Sequence, residues 1–397
     1  MTDKDFTLGV AMIARNGAKT MKQALKPFIG KVDEIAIVLG GESTDATPSL
    51  ARKLGTKIAN YDGPLSDVGA LLDFSAARQQ SFDLCATDWV IVVDTDDEWF
   101  DAENIAPVVA ECHPRDVPCI WVPYELGDGF FHQPRVFRRT SGHWQNPIHE
   151  EFVFYDDLVS GDSAIVKTGE FSLSQLRRKN DEGKGRSLQN IEIGKAAAEA
   201  DPANLRTWAQ LASDLIVSGE YDEAVSATNH YLENWGKQAQ PIYTDELAYV
   251  WAKRASSQLR LRDYGSSYLS AGWSLGIKET ASGHCYKAEA AVRMAMQIGV
   301  LNDPLDVIEN QRGYGFCKEA IYHAEQAMRQ GKNRTGYAEA RSLATWRPCS
   351  IAALAYTTMR QPREALTWLD LGLSINPDDE LMTNMRADLC AGLNEVP

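Results

Sequence analysis

Short apolar runs separated by amphipathic stretches set the rhythm of the first half of the chain. Leu8–Ala14 reads L-G-V-A-M-I-A, Glu34–Leu39 reads E-I-A-I-V-L, and residues 89–93 read W-V-I-V-V. Runs this short, rich in β-branched residues, predict strands buried on both faces. Between them, T-M-K-Q-A-L-K-P-F-I (residues 20–29), a segment starting near Thr47-Pro48, and S-A-A-R-Q-Q-S-F-D-L-C-A (residues 75–86) predict helices. Strand and helix in alternation predict an α/β unit with a mostly parallel sheet. Ligands of such sheets bind beyond the carboxyl ends of the strands.

After about residue 173 the pattern changes. A basic, polar stretch, Q-L-R-R-K-N-D-E-G-K-G-R, carries Arg177, Arg178 and Lys179, and almost everything beyond it has helical periodicity. The basic run reads equally as an exposed linker or as a lid over a diphosphate. In W-A-Q-L-A-S-D-L-I-V-S-G-E-Y-D-E-A, the residues Trp208, Leu211, Ala212, Tyr221 and Ala224 fit the tetratricopeptide pattern, and Ala353, Tyr356, Ala365 and Pro377 repeat its later positions. Trp251, Ala255 and Tyr264 match more loosely, and C-K-E-A-I-Y-H-A-E-Q-A-M-R-Q-G reads as another second helix. The expectation is a unit at 1–175, a linker or lid with a connecting helix at 176–203, and four or five irregular helix pairs over 204–397. A single pair cannot bury its apolar face, so stacking completes the core.

Composition narrows the function classes. The 397 residues suit two domains, and nothing approaches eighteen consecutive apolar residues, which excludes a spanning helix. A net charge of −15 disfavours nucleic acid as a partner, since that contact relies on Lys and Arg neutralising phosphates. Seven scattered cysteines without C-x-x-C spacing, and no secretory signal at the amino terminus, point to a reducing, cytoplasmic setting.

The candidate chemistry lies where the third apolar run ends, in D-W-V-I-V-V-D-T-D-D-E-W-F. Asp94, Asp96, Asp97 and Glu98 crowd five positions, and like charges this close repel unless a cation relieves them. Further along, Asp73 and Arg78 lie about a helical turn apart in D-F-S-A-A-R, Asp45 stands in S-T-D, and Glu150 follows His149 in I-H-E-E. Asp73 and Asp45 can equally be helix caps, His149 a structural histidine, and Trp144 a core side chain.

Together with M-I-A-R-N, V-D-E-I-A-I-V-L-G-G-E-S-T-D-A-T and R-V-F-R-R-T-S-G-H-W, these segments resemble the family 2 glycosyltransferases of the GT-A fold, of the bacterial and phage type with a tetratricopeptide tail. The resemblance implies that Asp94 and Asp96 form the D-x-D that holds Mn²⁺ or Mg²⁺ on a nucleotide sugar, with His149 beside them as a metal contact. It implies donor contacts at Ala11, Arg15, Asp45, Asp73, Arg78, Asp94 and Trp144, a sugar-pocket loop at Gly142 and Trp144, and Glu150 as the acceptor-side base of an inverting transfer. Two positions depart from the pattern. Gly40 stands where the nucleobase-reading Asp usually follows the second strand, so the base is left open. Lys167 stands where the pattern places a metal-binding His, and its ammonium can neutralise a diphosphate. The resulting expectation is hexose transfer from a UDP-sugar to a protein side chain held by the repeats. The alternatives are a modified base or glycan as acceptor, a scaffold without catalysis, and repeats that serve as a tail joining two copies of the chain.

Overall fold

A computed structural model describes residues 5–115, 117–126, 129–155, 165–167, 170–175, 181–237, 244–299, 307–330 and 340–394. The chain divides into two compact units, Met1–Asp201 and Pro202–Pro397.

In the first unit, β1 (Leu8–Ala14) pairs in parallel with β2 (Glu34–Leu39), and β2 with β3 (Lys57–Asn60). On its other side β1 pairs in parallel with β4 (Trp89–Val92). The helices between them are α1 (Met21–Leu25), α2 (Thr47–Leu54) and α3 (Phe74–Leu84). The predicted helix over 20–29 stops at Leu25 because Pro27, two residues on, has no N–H to continue it. The central strands are buried on both faces. Trp89, Ile91 and Val93 join one core with Val10, Met12, Ile37 and Phe28. Val90 and Val92 face the other, with Ala11, Phe82, Phe137 and Phe152.

Beyond β4 the chain makes a turn and runs into β5 (Asp97–Phe100), then α4 (Ile105–Cys112), β6 (Cys119–Leu126) and β7 (Gly129–Arg138). Strand β7 lies antiparallel between β4 and β6, so the sheet is mostly parallel, as the sequence predicted, with an antiparallel insertion at this point. A separate hairpin joins β8 (Gly142–Gln145) to β9 (Glu151–Phe154). Strand β10 (Ile165–Lys167) pairs with β6, and β11 (Ser172–Gln175) bridges β6 and β5, completing a nine-stranded sheet among the described residues. Helix α5 (Asp181–Ala200) closes the unit; the basic run 177–179 lies outside the described residues.

The second unit is helical throughout its described residues. Helices α6 (Leu205–Ser218) and α7 (Tyr221–Asn234), α8 (Thr244–Arg260) and α9 (Tyr264–Ile277), α10 (Ala281–Ile298) and α11 (Val307–Gln330), and α12 (Trp346–Thr358) and α13 (Pro362–Ile375) pack as four successive pairs, followed by α14 (Glu380–Asn394). Small residues at the pattern positions Ala212, Ala224, Ala353 and Ala365 are fully buried. Helices α10 and α11 meet through Ala288, Ala291 and Ala295 on one and Ala320, Ala324 and Ala327 on the other, which lets their axes approach closely. Gly219, in the left-handed region at φ 86°, ends α6 and lets Glu220 N donate to Leu215 O. Among the described residues no helix is long and apolar enough to cross a membrane.

The same α10–α11 contact buries two histidines whose Nδ1 atoms lie 2.8 Å apart. Burial lowers both, and His323, with Lys287 and His284 adding repulsion, is brought down to about 3. A histidine kept neutral in the fold takes up a proton on unfolding below its unfolded value near pH 6.5. Stability from the pair is therefore full above about pH 6.5 and declines as the pH falls toward 4. Thermal midpoints from circular dichroism are expected to drop over that window in the wild type and to drop less in H284L/H323L. Equal slopes would remove the pair from the pH response.

Candidate active site

Burial of β4 on both faces fixes where its continuation emerges, and Asp94 lies two residues past its end. The turn closes with Asp97 N donating to Asp94 O at 3.1 Å, while Asp94 N donates to Asp97 Oδ2 at 2.8 Å. The Asp94 side chain retains 33% exposure and that of Asp97 1%, so Asp94 is the member of the pair that can meet a ligand. Asp96 is buried, and its Oδ2 accepts from Gln175 Nε2 at 2.7 Å. Glu98 takes a hydrogen bond from Gln23 at 3.0 Å.

Helix α3 brings the second charge. Asp73 caps it, accepting from Ala76 N at 2.9 Å and Ser75 Oγ at 2.7 Å. The helix then aims Arg78 into the space between Asp94 and Glu150. Arg78 Nη2 donates to Asp94 Oδ1 at 3.0 Å, and Nε and Nη2 both donate to Glu150 Oε1, Nε at 2.8 Å. Arg78 Nη1 has no hydrogen-bond partner among the described residues.

Glu150 reaches this point through the hairpin. The β8–β9 connection carries Asn146 at φ 69° and His149 at φ 53°, both left-handed, which reverses the chain just before Glu150. The hairpin is tied to α3 by Phe74 N donating to Pro147 O and by Gln79 Oε1 accepting from Trp144 N, each at 2.8 Å. A side chain at Gly142 would collide with the Val153 carbonyl and the Phe152 ring.

The structure adds Arg135, absent from the sequence-predicted set. It lies on β7, 4% exposed, and donates through Nη1 to Asp94 Oδ2 at 2.9 Å, with Asp97 Oδ2 at 3.5 Å. Its signal was the alternation in R-V-F-R, which places Arg135 and Phe137 on the sheet face opposite Val136. Burial would raise the Asp94 carboxyl, but Arg78 and Arg135 outweigh it and hold it below the usual range. Burial pushes Asp97 up to about 7, with Arg135 opposing and Asp94 adding to the rise. Burial works against both guanidinium charges, yet the carboxylates keep them firmly protonated.

Other expected donor contacts have structural partners. The Ala11 methyl is buried in the core and its carbonyl accepts from Val93 N at 3.1 Å. Arg15 clamps two loops, donating to Glu42 O at 3.1 Å and Val68 O at 2.9 Å. Asp45 accepts from Ala18 N at 3.0 Å and from Thr47, and these bonds outweigh burial to lower its carboxyl. Trp144 is half-buried between Phe137 and Phe152, with the Arg78 guanidinium 5.3 Å from its ring centre. Lys167 has its backbone in β10, and its side chain lies outside the described set. A side chain at Gly40 would press on Leu71 and Ile13, which crowd the position where the acid is missing.

Both Asp94 oxygens already accept from guanidinium groups. Among the described residues no three His, Cys, Asp or Glu side chains converge as a metal site, so Asp94, Asp96 and His149 are not gathered into the expected trio. Asp96 is a carboxylate of the kind a hard cation takes, one or two to an ion with substrate phosphates and water completing the shell, but it is buried and its Oδ2 accepts from Gln175.

Residues 9–164 match the family described as Glycosyl transferase family 2. The chain is 31% identical over 87 residues to an uncharacterized glycosyltransferase of Rickettsia felis, covering 22% of this chain and 28% of that protein. It is 36% identical over 91 residues to a TPR repeat-containing protein of Synechococcus elongatus, covering 23% of this chain and 21% of that protein. The chain thus spans about a quarter of the length of the curated relatives it matches. Among solved structures it is similar to YrrB, titled a TPR protein with an unusual peptide-binding site, at 13% identity and TM-score 0.35, over 52% of this chain and 86% of that one. It is also similar to a tetratricopeptide repeat protein of Parabacteroides merdae at 15% identity and TM-score 0.38, over 54% and 70%.

Arg78→Met would leave Asp94 and Glu150 without their shared cation. Removing one partner of a buried ion pair costs about 3–5 kcal/mol, so denaturant unfolding is expected to register a loss of that order. A change under about 1 kcal/mol, the level of a surface pair, would contradict the arrangement.

Proposed function

We propose that this chain is an inverting glycosyltransferase that moves a hexose from a nucleotide sugar, a UDP-sugar first among candidates, to a polypeptide side chain. The observation that supports the reading best is the bridge from Asp94 through Arg78 to Glu150, beyond the carboxyl end of β4 in a family 2 glycosyltransferase domain.

In this reading the donor lies against Asp94, with its diphosphate toward the Arg78 guanidinium. Glu150 accepts the proton of the acceptor hydroxyl or thiol. The oxygen or sulfur forms its bond to the anomeric carbon as the bond to the diphosphate oxygen breaks. The electron pair departs on the nucleoside diphosphate, and the configuration inverts. Asp96 would hold a Mn²⁺ or Mg²⁺ ion, whose charge would stabilise the departing phosphate. Trp144, braced by Phe137 and Phe152, supplies an indole edge to the pocket. The four helix pairs form the stacked surface on which a polypeptide acceptor docks.

The test is turnover of a panel of nucleotide sugars with and without Mn²⁺, comparing wild type with Asp96→Ala and Glu150→Gln. Glu150→Gln is expected to lower turnover by about 10²–10⁴-fold, the range of a general base. Asp96→Ala is expected to raise the metal concentration needed. Turnover indifferent to both substitutions would defeat the assignment. Mass spectrometry of a cell's proteins with and without the chain reads the acceptor, and a mass gain confined to glycans or nucleic acid would replace the polypeptide reading.

A further inference from the structure

We infer that Arg135 is a positioning residue for transfer: by holding Asp94 Oδ2, it leaves Asp94 one oxygen for Arg78 and so keeps Arg78 on Glu150. The inference rests on the transferase reading above and adds a residue that touches neither donor nor acceptor.

A guanidinium and a carboxylate left to themselves pair fork to fork, two N–H groups on two oxygens. Arg78 and Asp94 do not. Their contact is single, Nη2 to Oδ1 at 3.0 Å, while Nε and Nη2 converge on Glu150 Oε1. The reason lies on the other side of Asp94, where Arg135 Nη1 occupies Oδ2 at 2.9 Å. Arg135 is itself fixed. Its Nε donates to Gln133 Oε1 at 3.2 Å, and its guanidinium sits 5.5 Å from the centre of the Tyr124 ring. Asp97 completes the clamp, lying 3.5 Å from Arg135 Nη1 and accepting the Asp94 backbone N–H.

The result is an alternating chain, Asp97, Arg135, Asp94, Arg78, Glu150, that runs from the interior to the candidate base. Take out Arg135, and Asp94 is free to rotate and engage Arg78 through both oxygens. Arg78 then turns from Glu150, and the base loses its register with the anomeric centre. A lysine at 135 restores the charge but not the planar fork, so it restores position only in part.

The experiment compares wild type, R135M and R135K with a sugar nucleotide that the wild type turns over, alongside thermal melting and crystal structures of each variant. R135M is expected to fold and to lose about 100-fold in kcat, the scale of a 1 Å misplacement, with a smaller change in KM and partial recovery in R135K. In a D94N background R135M should add little further loss, because Arg135 acts through Asp94. The R135M crystal structure should have Arg78 forked onto Asp94. A folded R135M with wild-type kcat, or with Arg78 still on Glu150, overturns the inference. Should R135M not fold, R135K answers by the same two readouts. Absence of turnover by the wild type on every donor defeats the transferase reading instead, and the position of Arg78 in the crystal structures still decides this one.

Discussion

One guanidinium, that of Arg78, holds together two carboxylates that would otherwise repel. Asp94 emerges from the central sheet and Glu150 from a hairpin with its own two-stranded pairing. Nothing in either element requires the other to be near. Helix α3 imposes the meeting, because its amino terminus receives the hairpin through Pro147 and its Gln79 receives it again through Trp144. Capping, hairpin docking and ion pairing are thus successive uses of one helix.

The cluster is tolerable because charge alternates through it. Three carboxylates, Asp94, Asp97 and Glu150, meet two buried arginines, an imbalance that a buried site does not keep without relief. Part of the relief comes at Asp97, whose carboxyl burial pushes up to about 7. The remainder is what an incoming cation would meet. A strand buried on both faces cannot shift to ease the crowding, so its rigidity is carried into the geometry of the site.

The parts of this arrangement legible in sequence are those that depend on local pattern. Buried runs read as strands, D-F-S-A-A-R reads as a capped helix start, and the spaced alanines read as helix pairs. Asp94, Arg78 and Glu150 were recognised by their segments, and the structure brings them together. Less legible was anything set by tertiary pairing. Strand β7 inserts antiparallel because it continues from β6 as a long hairpin, a relation no periodicity encodes. Arg135 escaped notice because an arginine in an alternating strand reads as its solvent face, whereas here it points at carboxylates under the sheet edge. Nor does the segment alone tell which way Ala11 faces: the alternation within β1 turns its methyl into the core.

Leu71 in the space beside Gly40 has a consequence for how this chain can change. A side chain at 40 would press on Leu71, which belongs to a turn bridged to Leu65 and in which the Gly69 carbonyl packs on Gly41. A side chain at 40 is therefore coupled to position 71, and a smaller residue at 71 would let it enter without pressing on the turn.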